Sequence, residues 1–440
     1  MLQDVNLIQE ILTRLNIGDL NPMQIASIEA NKNNDDVILL SDTGTGKTLA
    51  FLLPLLGLLD KEKNYTQALI VVPSRELALQ IEQVFRSMRT GFKVTCCYGG
   101  HLRETEENNL QQAPVLIIGT PGRLVDHLKR ENIKPANITT LVLDEFDKSL
   151  ELGFQEEISF ILNALPSVRK RMLTSATDSL EIPVNVGLKD PVTLNYLTDT
   201  PSEALTIQLV KSDDNDKLDA LFGFLCLVGN RSVIIFANHR DSVERVSSFL
   251  WDKGIVNVFY HGALEQPERD SALCKFRNGT SNVLVSTDLA ARGLDIPNIR
   301  YIIHYHLPGT EEIFTHRNGR TARMDASGTA VIILGADERL PSFIPKSIEE
   351  IHLPKTNIVP DKPKWSTLYI AAGKKDKINK VDIVGFLSNK GQLKKEDIGL
   401  IEVKDFLSFV AVRKSHVSNI LQNIKNEKIK NKKVKIDIAK

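Results

Sequence analysis

Short apolar runs rich in β-branched residues recur along the first two thirds of this 440-residue chain, and each ends at a polar or glycine-containing turn. Helical segments such as Arg75 to Met88 and Asp241 to Trp251 separate most of them. This alternation is typical of parallel sheets whose strands are joined by crossover helices. The runs form two sets, at residues 37–40, 68–72, 115–118, 141–143 and 172–173, and at residues 233–236, 256–260, 283–285, 301–303 and 331–334. The sequence therefore predicts two α/β units, with ligands outside the carboxyl ends of the strands.

The composition excludes fibrous, disordered and membrane-spanning classes of protein. With 42% hydrophobic and 25% charged residues, the chain has enough apolar side chains for packed cores. Its most apolar stretch, Leu49 to Leu59, is too short to cross a bilayer and contains Pro54. The first residues lack a basic segment followed by an apolar core, so we predict no secretory signal, no membrane contact and a cytoplasmic location. Four cysteines at their spacing favour buried free thiols over a disulfide framework or a zinc site.

Proline-containing polar stretches predict where the domains begin and end. Pro191 and Pro201 bracket one such stretch, and five prolines fall between Leu340 and Lys364. Such stretches favour turns and linkers over packed helices or strands. The predicted domains are residues 1–200, residues 203–340 and residues 364–440, with a linker at residues 341–363.

The C-terminal domain differs from the rest in its pattern of elements and charge. A strand, a helix, two strands, a helix and a strand are predicted at residues 367–371, 380–388, 398–403, 407–413, 415–426 and 434–438. This order is the ferredoxin-like α+β arrangement of RNA-recognition motifs. From Lys355 to Lys440 there are 20 Lys and Arg against 9 Asp and Glu, whereas the preceding residues hold 35 and 46. The positive excess indicates a polyanion-binding domain, although charge alone leaves a solvated lysine-rich tail as an equal alternative.

A glycine-rich segment from Ser41 to Thr48 follows the first predicted strand and opens a helix. In this position the backbone N–H groups of the loop and the helix N-terminus cradle phosphates, as in P-loop nucleotide-binding proteins. Lys47 supplies a positive charge, and the Thr48 hydroxyl is a candidate ligand for Mg²⁺. Ser41 replaces the first glycine of the minimal motif, and a solvent-facing glycine turn is the alternative interpretation. The flanking strand and helix favour the phosphate site.

Two consecutive acids, Asp144 and Glu145, follow the strand predicted at residues 141–143. A carboxylate at this strand end is placed to hold Mg²⁺ through oxygen, so Asp144 joins Thr48 as a candidate metal ligand. Glu145 is the candidate group that orients or deprotonates the attacking water. Paired acids at a strand end are otherwise often an exposed turn, but the preceding P-loop favours the metal site.

The order and spacing of further motifs resemble those of DEAD-box RNA helicases over about residues 18 to 335. In the first unit these motifs are the Q motif at residues 21–24, motif Ia at 73–78, the GG element at 99–100, motif Ib at 120–123, motif II at 144–147 and motif III at 175–177. In the second unit they are Gln266 with Arg269, motif V at 286–295 and motif VI at 316–323. The resemblance implies two tandem RecA-like parallel-sheet domains of the P-loop NTPase class, followed by the small RRM-like domain.

The resemblance also implies the residues of an ATP site. The ATP-binding residues would be Gln24, Ser41, Thr43, Gly44, Thr45, Gly46, Lys47, Thr48 and Asp295, with Gln24 reading the adenine edge and Asp295 contacting the ribose. The catalytic residues would be Lys47, Asp144, Glu145, Arg320 and Arg323, with both arginines reaching the γ-phosphate from the second domain. Coupling of hydrolysis to RNA remodelling is implied for Asp147, Ser175, Thr177 and His316. Hydrolysis would then require the two domains to close.

By the same resemblance, RNA is implied to lie across both domains, on the side away from the nucleotide. The implied contact residues are Arg75, Gly100, Thr120, Gly122, Arg123, Thr287, Asp288 and Arg292. Small residues, hydroxyls and backbone amides suit a phosphate backbone, which is bound without reading its sequence. For each single Arg or Thr, a surface charge or a helix cap is the alternative.

Several positions depart from the usual pattern of the family. Phe146 replaces the alanine of motif II, where overpacking by the larger side chain would cost about 1 to 3 kcal/mol unless its neighbours are smaller. Asn318 and Ala322 stand where motif VI usually has an aliphatic residue and a glycine, and the aromatic residue before the Q motif would fall near Leu7. We expect these departures to affect the turnover rate more than the reaction.

The C-terminal segment from Thr367 to Arg413 resembles the ribosomal-RNA-binding domain of DbpA-type helicases. The glycine and stacked aromatic residues of a usual RNP1 motif are missing, and Phe406 and Phe409 would point to opposite faces of a strand. The predicted phosphate contacts are therefore Lys374, Lys375, Lys377 and Arg413, against the alternative of a merely solubilising charge.

The favoured hypothesis is an RNA-stimulated ATPase, an ATP-dependent RNA helicase that locally unwinds or remodels structured RNA. Its implied cofactors are ATP and Mg²⁺, and its implied partner is large-subunit ribosomal RNA during ribosome assembly, with no evident protein partner. One alternative is an ATP-binding RNA clamp or scaffold with little hydrolysis, and a weaker one is a DNA-directed helicase.

Overall fold

The computed structural model describes residues 5–42, 44–100, 103–177, 182–183, 186–197, 205–288, 299–321, 328–345 and 348–439. The chain divides near residue 203 into two compact units. Among the described residues, no helix has both the length and the apolar character needed to cross a membrane.

The first unit is a parallel sheet with helices on both faces. Its helices are α1 (Val5–Leu15), α2 (Pro22–Asn33), α3 (Lys47–Leu58), α4 (Arg75–Ser87), α5 (Arg103–Gln111), α6 (Pro121–Lys129), α7 (Phe146–Glu151) and α8 (Gln155–Ala164). Its strands are β1 (Asp36–Ser41), β2 (Ala68–Val71), β3 (Val94–Cys97), β4 (Leu116–Gly119), β5 (Thr140–Leu143), β6 (Lys170–Ser175) and β7 (Val192–Tyr196), in the order β3-β4-β2-β5-β6-β1-β7.

Alternate residues of these strands enter two separate apolar cores, because successive side chains of a strand point to opposite faces. Ile70 and Val142 pack in one core with Phe51 of α3. Leu69 and Leu141 pack in the other core with helices that include α8. This two-sided burial explains why the central strands read as continuous apolar runs.

The second unit begins with another parallel sheet of the same kind. Its helices are α9 (Leu218–Val228), α10 (Arg240–Asp252), α11 (Gln266–Arg277) and α12 (Glu311–Asn318). Its strands are β8 (Leu205–Lys211), β9 (Val233–Phe236), β10 (Asn257–Tyr260), β11 (Val283–Ser286), β12 (Tyr301–His304), β13 (Gly328–Leu334) and β14 (Glu349–Glu350), in the order β10-β11-β9-β12-β13-β8-β14.

The two sheets include strands that the sequence analysis did not predict, namely β3, β7, β8 and β14. Strands β3, β7 and β14 lie at sheet edges. The stretch at residues 190–203, predicted as a break, contributes β7, which pairs with β1. In the predicted linker, β14 pairs with β8, and Ile344 and Leu353 pack against the apolar cores of the second unit. The first part of that segment is therefore built into the sheet, and the predicted domain boundaries stay a prediction.

The C-terminal residues of the second unit form a small antiparallel α+β domain. Its elements are β15 (Trp365–Ile370), α13 (Lys380–Asn389), β16 (Ile398–Val403), β17 (Ser408–Arg413), α14 (Val417–Ile424) and β18 (Ile436–Ile438). The strand order β16-β17-β15-β18 is that of an RNA-recognition motif, and α13 and α14 pack on one face of the sheet. The predicted fold class, two RecA-like parallel-sheet domains and an RRM-like α+β domain, is confirmed.

Helix α11 covers the other face of the C-terminal sheet. Cys274 of α11 and Phe409 of β17 are fully buried in one apolar cluster. The Nδ2 atom of Asn278 donates to the Oγ1 atom of Thr367 at 2.8 Å, and the Oγ1 atom of Thr280 lies 2.8 Å from the same oxygen. The face on which RNA-recognition motifs usually stack bases is therefore occupied by the preceding domain.

Candidate nucleotide and RNA sites

The glycine-rich loop joins the carboxyl end of β1 to the start of α3. Gly46 has a φ of 93°, a left-handed conformation that favours glycine, and forms the N-cap of α3. Lys47 is buried, and its Nζ atom donates to the carbonyl oxygen of Ser41 at 2.5 Å. The Ser41 and Thr45 hydroxyl oxygens lie 2.7 Å apart. The ammonium group therefore lies at the helix N-terminus, where backbone N–H groups attract phosphate, while Thr43 lies outside the described residues.

Gln24 lies against this loop and links it to helix α2. The Gln24 backbone donates to the Asn21 side chain, and the Asn21 backbone donates to Gln24 Oε1, which makes a capping box. The Nε2 atom of Gln24 donates to the carbonyl oxygen of Gly46 at 3.2 Å. A side-chain amide has two donor hydrogens and two acceptor lone pairs, so each end retains one position for adenine. A Cβ atom at Gly46 would lie 2.5 Å from Gln24 Nε2, so the Gln24 amide could not keep this position beside any other residue.

Asp144 and Glu145 follow β5, which lies two strands from β1 in the sheet. Asp144 is 3% exposed, and its Oδ1 atom accepts from Thr174 Oγ1 at 2.5 Å. Burial, and next the charge of Glu145, raise the pKa of Asp144 to about 6. Glu145 has a φ of 48°, and its backbone N–H donates to Thr174 Oγ1. Because burial and the neighbouring Glu145 both disfavour the negative charge of this carboxylate, a divalent cation bound to it would stabilise the charge.

The raised pKa of Asp144 predicts that Asp144→Asn stabilises the metal-free protein. A carboxyl whose folded-state pKa exceeds its unfolded value contributes stability below pH 4, and that contribution is lost as pH rises through about 6. We expect a gain of about 2 to 3 kcal/mol above pH 7 and almost none at pH 4. Urea titrations of both proteins with a chelator at these two pH values measure it. An equal gain at both pH values would contradict the prediction.

A hydrogen bond between a backbone N–H and a side chain connects motif III to motif II in the first unit. The Oδ2 atom of Asp147 accepts from the Ala176 backbone N–H at 3.2 Å. The Ser175 hydroxyl donates to the carbonyl oxygen of Thr177 and accepts from its N–H. Phe146 is 1% exposed in an apolar core with Leu143 and Ile158, so its ring packs in the interior.

The predicted RNA-contact residues of the first unit follow the carboxyl ends of β2, β3 and β4. The guanidinium group of Arg75 lies 4.7 Å from the centre of the Tyr98 ring. Gly100 is exposed with a φ of 92°, and Gly122 is exposed in the first turn of α6, where Thr120 is the N-cap. Arg123 lies one residue further along α6 and pairs with Glu106 at 3.4 Å.

Arg317 connects several groups of the second unit through its hydrogen bonds, a role that the sequence analysis missed. Its guanidinium group makes two hydrogen bonds to the carboxylate of Asp288, one of 2.8 Å, and donates to the carbonyl oxygen of His306 at 2.7 Å. The group also lies 5.2 Å from the centre of the Phe236 ring. Arginine in the middle of motif VI was the available signal, because its planar fork suits a bidentate carboxylate.

The remaining predicted residues of the second unit are only partly described. Thr287 lies beside Asp288, and His316 and Arg320 are buried. The Oδ1 atom of Asn318 accepts from the Nε2 atom of the buried His304 ring at 3.0 Å. Burial, and next the charge of Arg317, lower the pKa of His304 to about 3, so the ring is neutral at physiological pH. Arg292, Asp295, Ala322 and Arg323 lie outside the described residues.

The predicted phosphate contacts of the C-terminal domain fall at two different ends of it. Lys374, Lys375 and Lys377 are exposed in the loop after β15, and the backbone N–H groups of Lys374 and Lys375 donate to the loop between β16 and β17. Phe406 in that second loop is 57% exposed. Arg413 lies at the other end, where its guanidinium group is 4.4 Å from the centre of the Trp365 ring.

Comparison with known proteins assigns three regions to described families. Residues 21–183 match the DEAD/DEAH box helicase model, residues 216–325 the helicase conserved C-terminal domain, and residues 367–438 the DbpA RNA binding domain. The chain is 33% identical to the ATP-dependent RNA helicase DbpA of Escherichia coli K12 over 98% of its own length and 96% of that protein. It is 31% identical to DbpA of Bacillus subtilis 168, over 95% and 94% of the two chains.

A solved structure shares the fold of the two parallel-sheet domains. It is S. cerevisiae Dbp5 bound to RNA and ADP BeF3, with a TM-score of 0.67 and 27% sequence identity. The match covers 76% of this chain and 88% of that one.

Proposed function

Because this chain belongs to the DEAD-box family of ATP-dependent RNA helicases, whose ATP hydrolysis depends on RNA, we propose that it remodels structured RNA of the large ribosomal subunit. The observation that carries this proposal is the C-terminal domain, which presents clustered lysines beside an exposed aromatic ring. Clustered lysines attract phosphate, and an exposed ring offers a surface for stacking an unpaired base.

The ATP site is proposed to lie at the carboxyl ends of β1 and β5. Lys47 and the loop amides bind the β- and γ-phosphates, and Glu145 orients the attacking water. Thr48 and Asp144 would hold Mg²⁺, which when bound neutralises charge on the phosphate oxygens. The poorly compensated charge of Asp144 supports this assignment.

The second unit is proposed to supply Arg320 to the γ-phosphate when RNA is bound. A planar guanidinium group stabilises the charge that develops on the transferred phosphoryl group. Asp147 supports coupling, because its carboxylate contacts the motif III backbone. Phe146 gives no reason to expect an RNA clamp with little hydrolysis, since its ring packs in the interior core.

RNA selection is proposed to use one end of the C-terminal domain, here called the basic end. It comprises the segment at residues 373–382, which ends in the first turn of α13, the loop at residues 404–407 and the segment at residues 425–435. Lys430 and Lys432 of the last segment pair with Asp382 and Asp376 of the first, so the loops form one surface. The sheet face is covered by α11, which leaves loops as the proposed route to RNA.

Replacing two lysines tests this surface. Lys374→Ala with Lys375→Ala is expected to weaken binding of ribosomal RNA by about tenfold, or about 1.4 kcal/mol. The slope of log affinity against log salt should fall by about 2, because each lysine neutralises one phosphate. The measurements are fluorescence anisotropy at several salt concentrations and ATPase stimulation by ribosomal RNA, its fragments and unrelated RNA.

The domain provides a matched control at its other end. Lys394 and Lys395 are also adjacent and exposed, and they precede β16 on the side of Arg413. Their double alanine variant should retain affinity and selectivity. If this control loses more binding than the first pair, RNA lies at the Arg413 end instead.

A comparison of RNA with DNA of the same sequence tests which polymer stimulates the ATPase activity. Equal stimulation by the two polymers would contradict the RNA assignment.

A further inference from the structure

A buried carboxylate, that of Glu106, lies between the motifs that follow β3 and β4. Glu106 belongs to α5 and is fully buried, 0% exposed, although it is not part of any motif identified in the sequence. A buried charge is costly unless cationic and hydrogen-bonding partners surround it. The identity of those partners therefore indicates what this carboxylate holds in place.

One oxygen of Glu106 holds the backbone before the GG element. Its Oε1 atom accepts from the Tyr98 N–H at 2.8 Å, directly before Gly99 and Gly100. The ring of Tyr98 in turn lies under the guanidinium group of Arg75, at 4.7 Å. Glu106 thereby fixes the residue that connects the GG element to motif Ia.

The other oxygen holds the first turns of α6. The Oε2 atom lies 3.4 Å from Nη1 of Arg123 and 2.6 Å from Nε2 of His127. Asn132 Nδ2 lies 3.1 Å from His127 Nδ1 and can only donate a hydrogen bond, so Nδ1 is the acceptor. The ring proton is therefore on Nε2, which donates a hydrogen bond to Glu106. Arg123 and His127 are four residues apart and therefore share one face of the helix.

We propose that Glu106 is a positioning residue that holds motifs Ia, GG and Ib of the first unit in a single arrangement for binding RNA. This inference rests on the proposed RNA contacts of Arg75, Gly100 and Arg123. Cys97 lies within 4.8 Å of the same carboxylate and imidazole, which would make a three-ligand cation site. Burial raises the pKa of the Cys97 thiol well above its ordinary value, which disfavours the thiolate that a cation would need. The carboxylate of Glu106 is also already paired, so a role in positioning the three motifs is the better interpretation.

Glu106→Gln is the test. The amide keeps an acceptor for the Tyr98 N–H, but its NH₂ group would face the donors of Arg123 and His127, so the ion pair is lost. We expect the RNA concentration for half-maximal ATPase stimulation to rise about tenfold, while the ATPase rate at saturating RNA and the Kd for ATP change less than twofold. Glu106→Asp keeps the charge on a shorter side chain and should give an intermediate shift.

Asp36→Asn is the matched control, because Asp36 is also a buried carboxylate of the first unit. It accepts from the Lys189 N–H at 2.6 Å and pairs with Arg171 at 3.3 Å, but it lies at the amino end of β1. Equal loss of thermal stability in both variants, with a shift in RNA dependence only for Glu106→Gln, is the expected result. A similar RNA shift in both variants, or none in Glu106→Gln, would overturn the proposal.

A double-mutant cycle separates this proposal from the RNA role of Arg123. If Glu106 acts through Arg123, Glu106→Gln should add less than twofold to the effect of Arg123→Ala. Additive effects would refute the positioning role even where Arg123 binds RNA. An Arg123→Ala variant with unchanged RNA dependence would instead refute the proposed contact. If the Glu106→Gln variant does not fold, Glu106→Asp replaces it in the same cycle and is judged by the same outcomes.

Discussion

Lys47→Ala is expected to lower the RNA-stimulated ATPase rate by at least about 10³-fold, because it removes the cation that stabilises charge on the transferred phosphate. The ammonium group is buried at the N-terminus of α3, and its nitrogen contacts the carbonyl oxygen of Ser41. No second lysine of the loop replaces it. Formation of phosphate in an acid-quenched single turnover, with saturating RNA, measures the effect on chemistry apart from product release.

Lys170→Ala is the matched control for that experiment. Lys170 is a buried lysine of the same unit that also donates to backbone carbonyl oxygens, those of Asn31 and Asn34. It lies at the amino end of β6, away from the phosphate loop. Its loss should lower stability but leave the ATPase rate of the folded protein within about threefold. Retained hydrolysis in Lys47→Ala would refute the role of the loop, and RNA binding by the C-terminal domain should persist in both variants.

Arg320→Ala is expected to lower the single-turnover rate by about 10³-fold or more, the range found for arginine fingers. Binding of ATP and RNA should change little, because the proposed contact forms with the transition state. Arg320→Lys should recover little activity, since an ammonium group lacks the planar fork of guanidinium. Quenched-flow measurement with radiolabelled ATP, at saturating ATP and RNA, gives the rate.

Arg300→Ala controls for loss of a positive charge from the same unit. Arg300 is exposed directly before β12 and belongs to no motif of the family. Its variant should hydrolyse ATP at the wild-type rate. A fall of less than tenfold in Arg320→Ala would show that the second unit does not supply this residue to the phosphate.

The central strands were predictable because helices cover both of their faces. Residues 68–72 and 141–143 are apolar throughout, and their burial on two sides leaves that composition as the signal. Strand β7 was not predictable in this way, since it lies at an edge and its residues alternate between partial burial and exposure. Strand β14 consists of two glutamates, whose pairing with β8 follows from tertiary position and not from propensity.

Some residues of the candidate site were likewise predictable from the sequence, and others were not. Lys47 and Asp144 were identifiable because their chemistry follows from residue type and from a place directly after a strand. Glu106 was not identifiable as an organising residue, since no local pattern shows that its side chain meets Tyr98 and Arg123. For Arg317 the place in motif VI was a signal, but its partner Asp288 was not predictable from it. The two ends of the C-terminal domain, with Lys374 at one and Arg413 at the other, were likewise indistinguishable before the strands were paired.

The amino-acid sequence by itself determined the fold class, the phosphate loop and the family, because local periodicity and contiguous motifs are properties of neighbouring residues. Tertiary structure alone decided which face of the C-terminal sheet is covered, through the packing of Cys274 on Phe409. It also decided which buried charges pair. Both depend on contacts between residues far apart in the chain, whose free energy of burial and pairing has no counterpart in a local pattern.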